Sequence, residues 1–110
     1  MFWGATSFNG DVTNFDMSSA FYIDRMFQEA QSFDQDISGW DLSNVAFTRY
    51  MFNGARIFRQ NLCAWGNTMN STLFQGGGGT MFVNTDCPYR TDPDLTVLPP
   101  GPFCFACGSV

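Results

Sequence analysis

A period of 25 residues constrains this chain more than any other feature. Met-Phe opens successive units at Met1-Phe2, Met26-Phe27 and Met51-Phe52; alanine follows at Ala5, Ala30 and Ala55, then phenylalanine at Phe8, Phe33 and Phe58. An aliphatic residue recurs at Val12, Ile37 and Leu62, and an aromatic one at Phe15, Trp40 and Trp65. Columns at a fixed spacing mark a repeat architecture, in which each unit buries its apolar face by stacking on its neighbours. The columns of the two better copies, Met26, Phe27, Ala30, Phe33, Ile37 and Trp40 with Met51, Phe52, Ala55, Phe58, Leu62 and Trp65, form the expected repeat core.

Within a unit the pattern changes character. Apolar groups at Val45, Phe47, Met51, Phe52 and Ala55 fall at several spacings of three and four, which predicts a short helix with Ser43 or Asn44 as N-cap. Ser18 or Ser19 has the equivalent role in the preceding unit. Gln35–Ser38, around the β-branched Ile37, predicts a short strand, with Gly10–Thr13 and Gln60–Cys63 as its equivalents. The expected fold is therefore a repeat solenoid of about three coils, each a short parallel strand plus a short helix or turn. Its units would run 1–25, 26–50 and 51–66 (partial). A glycine-rich loop and degenerate last repeat would occupy 67–86, since Met81-Phe82 arrives five residues late. A Pro- and Cys-rich cap would occupy 87–110, where all five prolines lie.

These columns resemble the leucine-rich-repeat surface proteins of the BspA type, in their 25-residue Met-Phe variant. The most specific stretch is MFQEAQSFDQDISGWDLSNV, and the likeness is clear from Met1 to about Trp65. The tail, with LCAWG, MFVNTDCP and GPFCFAC, also looks like the C-terminal ending of such arrays. The resemblance implies a right-handed leucine-rich-repeat-like solenoid on secreted or cell-surface proteins, with adhesion or binding roles. The first copy departs from the motif at Phe15 and at Ser19-Ala20, and the third at Asn61 and Gly66.

Composition narrows the partners. Five Arg, no Lys and ten acidic residues give a net charge of −5. A nucleic-acid partner needs a basic surface to displace counterions, and an anionic membrane surface needs the same. Neither is expected, and no apolar run approaches a membrane span. Met1 falls in the column of Met26 and Met51, so the chain reads as the C-terminal piece of a longer protein. No His is present, which removes the commonest general base and metal ligand. The Gly76–Gly79 run, read as a flexible loop, lacks the Lys and Ser or Thr of a phosphate loop. No catalytic residue, metal or cofactor is expected, and the chain is read as not an enzyme.

Two aspartate columns, Asp11/Asp36 and Asp16/Asp41, would stack about 4.8 Å apart in adjacent coils. Like charges so close need either a cation such as calcium or backbone donors; the Asx-turn setting favours turn capping. Four cysteines, Cys63, Cys87, Cys104 and Cys107, admit three pairings and suggest disulfides in an oxidising compartment. A Cys63–Cys87 bridge would close the glycine-rich loop and stabilise by about 3 kcal/mol, leaving Cys104 with Cys107. A four-Cys zinc site is the weaker alternative, because Cys63 and Cys87 lack partners at knuckle spacing. Asn70-Ser71-Thr72 is a glycosylation sequon, with Asn70 as acceptor. Column aromatics belong to the core, whereas Trp3, Tyr22, Tyr50 and Tyr89 stand off the columns and are free for a surface role, with packing beneath the helical segments the equal alternative for Tyr22 and Tyr50. The expected function is a non-catalytic extracellular or cell-surface domain that binds a protein or glycan, serving adhesion. The other expectation is a structural subunit that stacks on copies of itself in an extracellular filament or sheath.

Overall fold

Each repeat unit folds as a string of single turns, and the units stack so that equivalent residues lie over one another. The computed structural model describes residues 4–75, 80–97 and 99–107. The Met1-Phe2 column, Trp3 and the Gly76–Gly79 run therefore lie outside the described residues. Within the second unit, the N–H groups of Gln28, Ala30, Phe33, Trp40 and Val45 each donate to the carbonyl three residues earlier. Asn53, Ala55, Phe58 and Trp65 repeat this pattern one unit later. Each such turn carries at least one buried apolar side chain, which is how an irregular backbone still yields regular columns.

The expected solenoid of strand-plus-helix coils is not what forms. Among the described residues the only helix is a 3₁₀ segment, Cys63–Asn67, and strand pairing is limited to isolated bridges such as Tyr22 with Phe47. No sheet is present among them, and the leucine-rich-repeat geometry goes with it. The backbone shows why. Arg25, Glu29, Tyr50, Gly54 and Asn84 all have positive φ, from 57° to 84°. A right-handed helix does not propagate through a left-handed residue, so Tyr50 and Gly54 stop the helix that the apolar spacing across Ser43–Ala55 suggests.

The strand expectation fails for a related reason. Alternate N–H groups at Ile23, Arg25, Phe27 and Glu29 donate to the carbonyls of Phe47, Arg49, Met51 and Asn53 in the next unit, at 2.8–3.0 Å. The carbonyls of Ile23, Arg25 and Phe27 turn inward to Met26, Gln28 and Ala30. A parallel ladder needs donors and acceptors exchanged in alternation; here the acceptors are consumed by local turns. Around Ile37, the carbonyl accepts both the Trp40 N–H and the Trp65 indole N–H at 2.8 Å. The predicted strand Gln60–Cys63 runs instead into the 3₁₀ segment.

One left-handed column has no precedent in the apolar pattern. Gly4, Glu29 and Gly54 share φ of 74°, 62° and 84°, and Asn84 (61°) continues the column after the five-residue insertion. A Cβ at Gly54 would collide with the Glu29 carboxylate. Gly54→Ala is therefore expected to lose about 1–2 kcal/mol, and Glu29→Gly to gain up to about 1 kcal/mol. Urea denaturation of the two variants checks both signs.

The core is a set of aromatic stacks. Phe27, Phe52 and Phe82 lie face to face at 5.6 Å between successive centroids, within 6° of parallel. Phe8, Phe33 and Phe58 form a second stack at 5.9 and 5.8 Å. The stacks touch within a layer, Phe27 on Phe33 at 4.0 Å and Phe52 on Phe58 at 4.2 Å. Met26, Phe27, Ala30, Phe33, Ile37, Trp40, Met51, Phe52, Ala55, Phe58, Leu62 and Trp65 are all buried. Trp40 donates its indole N–H to the Val12 carbonyl as Trp65 does to Ile37, so each Trp is tied to the preceding layer.

The tail closes the last layer. Phe103 packs edge-on to Trp65, and its carbonyl accepts the Leu62 N–H. Disulfides join Cys63 to Cys107 and Cys87 to Cys104, which corrects the expected pairing of Cys63 with Cys87 and Cys104 with Cys107. The chain folds back on itself at the Phe103–Phe105 bridge. Cys104 is thereby buried beside Cys87, while Cys107 is carried to the half-exposed Cys63. Adjacency in a C-x-x-C did not decide the partner; the fold of the tail did.

Candidate functional site

The polar columns act first as stitching. Asp11, Asp16, Asp36 and Asp41 each accept the N–H two residues on, from Thr13, Ser18, Ser38 and Ser43. Asn61, Asn70 and Asp94 do the same for Cys63, Thr72 and Thr96. Turn capping thus employs the aspartates that a calcium site would need, and no group of three potential metal ligands occurs among the described residues. The sequon has the same geometry: Asn70 Oδ1 accepts both the N–H and the hydroxyl of Thr72. The exposed Asn-x-Thr is one more copy of the recurring turn, so the triplet has a structural reason to be there.

Those turns carry a pH signature. The hydroxyl and N–H of Thr13, Ser18, Ser38 and Thr96 hold the carboxyls of Asp11, Asp16, Asp36 and Asp94 below their ordinary value of 3.8. The unfolded chain then binds more protons than the folded one across that window. The associated stability is complete above about pH 4 and fades as pH falls through the lowered values. Asp36→Asn keeps the accepting oxygen, as Asn61 already does, and is expected to flatten the decline in melting temperature between about pH 4 and pH 2. Melts of the variant and parent across that range test it.

A second set of side chains bridges layers, and nothing in the apolar columns announced it. Asn9 accepts the Asp34 N–H and Asp34 accepts the Arg59 N–H, while Gln35 and Gln60 reach back to Asn9 and Asp34. The backbone donors lie one full period from their acceptors and the two glutamines one residue further, spacings visible only once the period is used to align polar residues as well.

The surface with chemistry to offer lies on Phe21–Arg25 and the segment stacked on it, Phe47–Tyr50. Tyr22 and Phe47 share a column and stack at 5.0 Å, 8° from parallel, with Phe21 edge-on to both. Tyr22 is 65 % exposed and Phe21 40 %. Two columns on, Arg49 pairs with Asp24 at 2.7 Å and lies over the Phe47 ring at 5.1 Å. The hydrogen bond to Asp24 and its charge hold the Arg49 guanidinium more firmly protonated than usual. One column further, Arg25 covers Tyr50 at 4.6 Å. The columns Tyr22/Phe47, Asp24/Arg49 and Arg25/Tyr50 thus pair across two layers into one strip of rings and guanidinium groups, with the buried Ile23/Thr48 column between the first two.

The backbone fixes this strip. Ala46 and Phe47 donate to the Phe21 carbonyl, Ile23 to Phe47, and Arg25 to Arg49; the Arg49 N–H also binds Asp24 Oδ1 at 2.7 Å. Of the off-column aromatics, Tyr22 and Tyr50 are brought together here. Tyr89 is half-exposed on the cap, beside a cleft with Pro99 and Pro102. Phe21 has no place in the sequence reading, and Phe47 enters it as an apolar position of the expected helix; the alignment of Phe47 with Tyr22 one period earlier is the signal that places it on the surface strip. A separate cleft of about 420 Å³ is lined by Glu29, Gly54, Arg56, Asn84 and Thr85, over the left-handed column.

No helix among the described residues is long and apolar enough to cross a membrane. Comparison with curated proteins and with solved structures gives no match. A family model described as "Mycoplasma protein of unknown function, DUF285" matches residues 1–85, which take in the three repeats and the Met81-Phe82 layer. The chain belongs to the DUF285 family.

Proposed function

We propose that this domain is a non-catalytic extracellular binding module of the BspA-like surface type, engaging its ligand through the strip formed by Phe21, Tyr22, Phe47 and Arg49. The observation that carries the reading is that strip: exposed aromatic rings and an ion-paired guanidinium, held in register by backbone bonds between layers. Aromatic side chains lose little entropy on contact, and aromatic and Arg residues are enriched at recognition surfaces. Two disulfides in so small a chain favour an oxidising, extracellular setting. DUF285 is itself associated with BspA-like surface repeat proteins.

The test is adsorption of the labelled domain to intact cell surfaces and to immobilised extracellular matrix. Saturable binding is expected, and it should be lost in a Tyr22→Ala/Arg49→Ala double variant that keeps the parent's melting curve. Equal binding by both proteins, or none by either, would sink the proposal.

A further inference from the structure

We infer that the cleft over the left-handed column binds a small zwitterion of the α-amino-acid type, Glu29 taking its ammonium group and Arg56 its carboxylate. The site is separate from the strip and does not rest on the role proposed for it. Glu29, Gly54, Arg56, Asn84 and Thr85 line one cleft of about 420 Å³. They come from the second unit, the third unit and the Met81-Phe82 layer. Gly54 makes the room: it is buried, has φ of 84° and carries no side chain. The Glu29 carboxylate lies in the space that a Cβ there would fill.

Glu29 is the anomalous member of its column. Gly4 and Gly54 adopt a left-handed backbone without cost, and Asn84 is of a type that does so readily. Glu29 takes φ of 62° against its preference. No contact compensates it. Its carboxylate accepts no hydrogen bond and joins no ion pair among the described residues, although the residue is half-buried. A residue kept in a costly conformation with its charged group unspent points to a ligand rather than to the scaffold.

Arg56 is its counterpart. It is exposed on the same cleft, and its guanidinium likewise has no hydrogen-bond or ion-pair partner among the described residues. Asp86, which follows Arg56 in its column, is joined instead to Arg59 at 3.9 Å. A carboxylate and a guanidinium thus share one cleft without pairing. Their charges cancel, so a simple anion meets repulsion at one wall and a simple cation at the other. The carboxylate only accepts and the guanidinium only donates, so the ligand must bring N–H groups to one end and oxygens to the other. Charge-assisted bonds favour an ionised group at each end. An α-amino acid or a very short peptide holds both in few atoms. The described lining residues include no aromatic ring on which a neutral sugar could lie, and the Thr85 hydroxyl is already engaged by the Phe82 carbonyl and the Cys87 N–H. The volume falls in the range of small-molecule sites.

The experiment titrates the full, oxidised chain, isotopically labelled, with L-alanine and L-alanyl-L-alanine. N-acetylalanine, alaninamide and glucose are the probes that lack the ammonium, the carboxylate or both. At least one zwitterion is expected to give saturable shifts centred on the amides of Glu29, Gly54, Arg56, Asn84 and Thr85, and its identity tells a free amino acid from a short peptide. Blocking either charged end should weaken binding at least tenfold. Glu29→Gly is the decisive variant, since it is expected to melt above the parent while binding at least tenfold more weakly. Arg56→Gln should lose as much with an unchanged melting curve. No saturable shift with either zwitterion, the result for two charges parted by water alone, overturns the inference. Equal binding of glucose or of a blocked probe overturns it too, as does binding that survives Glu29→Gly.

Discussion

Truncating Phe52 to alanine is expected to cost about 3–5 kcal/mol. Phe52 sits where the two core aromatic stacks meet: 5.6 Å from Phe27 and from Phe82, 4.2 Å from Phe58, and 6.2 Å from Trp65. It is fully buried, and the parallel rings above and below are held by backbone bonds that prevent them from closing the void. Phe27 donates to Met51 and Phe52 to Met81, so neither layer moves without breaking a ladder. The cost is the lost transfer free energy plus an unrelaxed cavity, which approaches the whole stability of a small domain. Phe15→Ala, at a 40 % exposed column position, should cost well under half as much. Chemical denaturation of the two variants under oxidising conditions makes the comparison; equal losses would show that the stacks are not the seat of stability.

Reduction of the disulfides is expected to unfold the chain outright. Cys63–Cys107 spans 44 residues and Cys87–Cys104 spans 17. In the chain-entropy estimate these stabilise by about 4 and about 3 kcal/mol. Their sum falls within the ~5–15 kcal/mol typical of a whole domain. Losing the bridges also frees the tail that covers Trp65 with Phe103. The half-exposed Cys63–Cys107 bridge should be reduced first, since Cys87 and Cys104 are 1 % and 0 % exposed. Alkylation and mass mapping at increasing reductant gives the order, and thermal melts give the consequence. A cooperative melt within roughly 5 °C of the oxidised form would refute the expected dependence.

What the sequence states plainly is spacing, and what it hides is conformation. The columns from Met26 to Trp65 recur because each must meet its equivalent in the next layer, and a period records that requirement whatever backbone delivers it. Strand and helix are expected from the same columns, yet the described residues form only isolated bridges and one 3₁₀ segment, because inward-facing side chains three and four apart also arise from successive turns. The information that separates the two lies at Gly4 and Gly54, a glycine column masked by Glu29 in the middle copy. Likewise the aspartates read as turn caps from their Asp-x-Ser and Asp-x-Thr settings alone, since that interaction is local. Cysteine pairing was not legible, because it depends on where the Phe103–Phe105 fold-back sends Cys107. The strip was half legible: Tyr22 and Tyr50 stood out as strays, but Arg49 acquires its meaning from Asp24, 25 residues away.

Phe52 and Phe82 are 30 positions apart, against 25 for Phe27 and Phe52, and yet both pairs of rings stack at 5.6 Å. Distance along the chain and distance along the stack are thus uncoupled at this one place. Closing a loop longer by a fifth costs only a few tenths of a kcal/mol, and even doubling it costs about 0.6 kcal/mol. The exposed turn at Ser71-Thr72 is consequently a natural display position: foreign peptides inserted there would lengthen the connection and leave the aromatic stack unchanged.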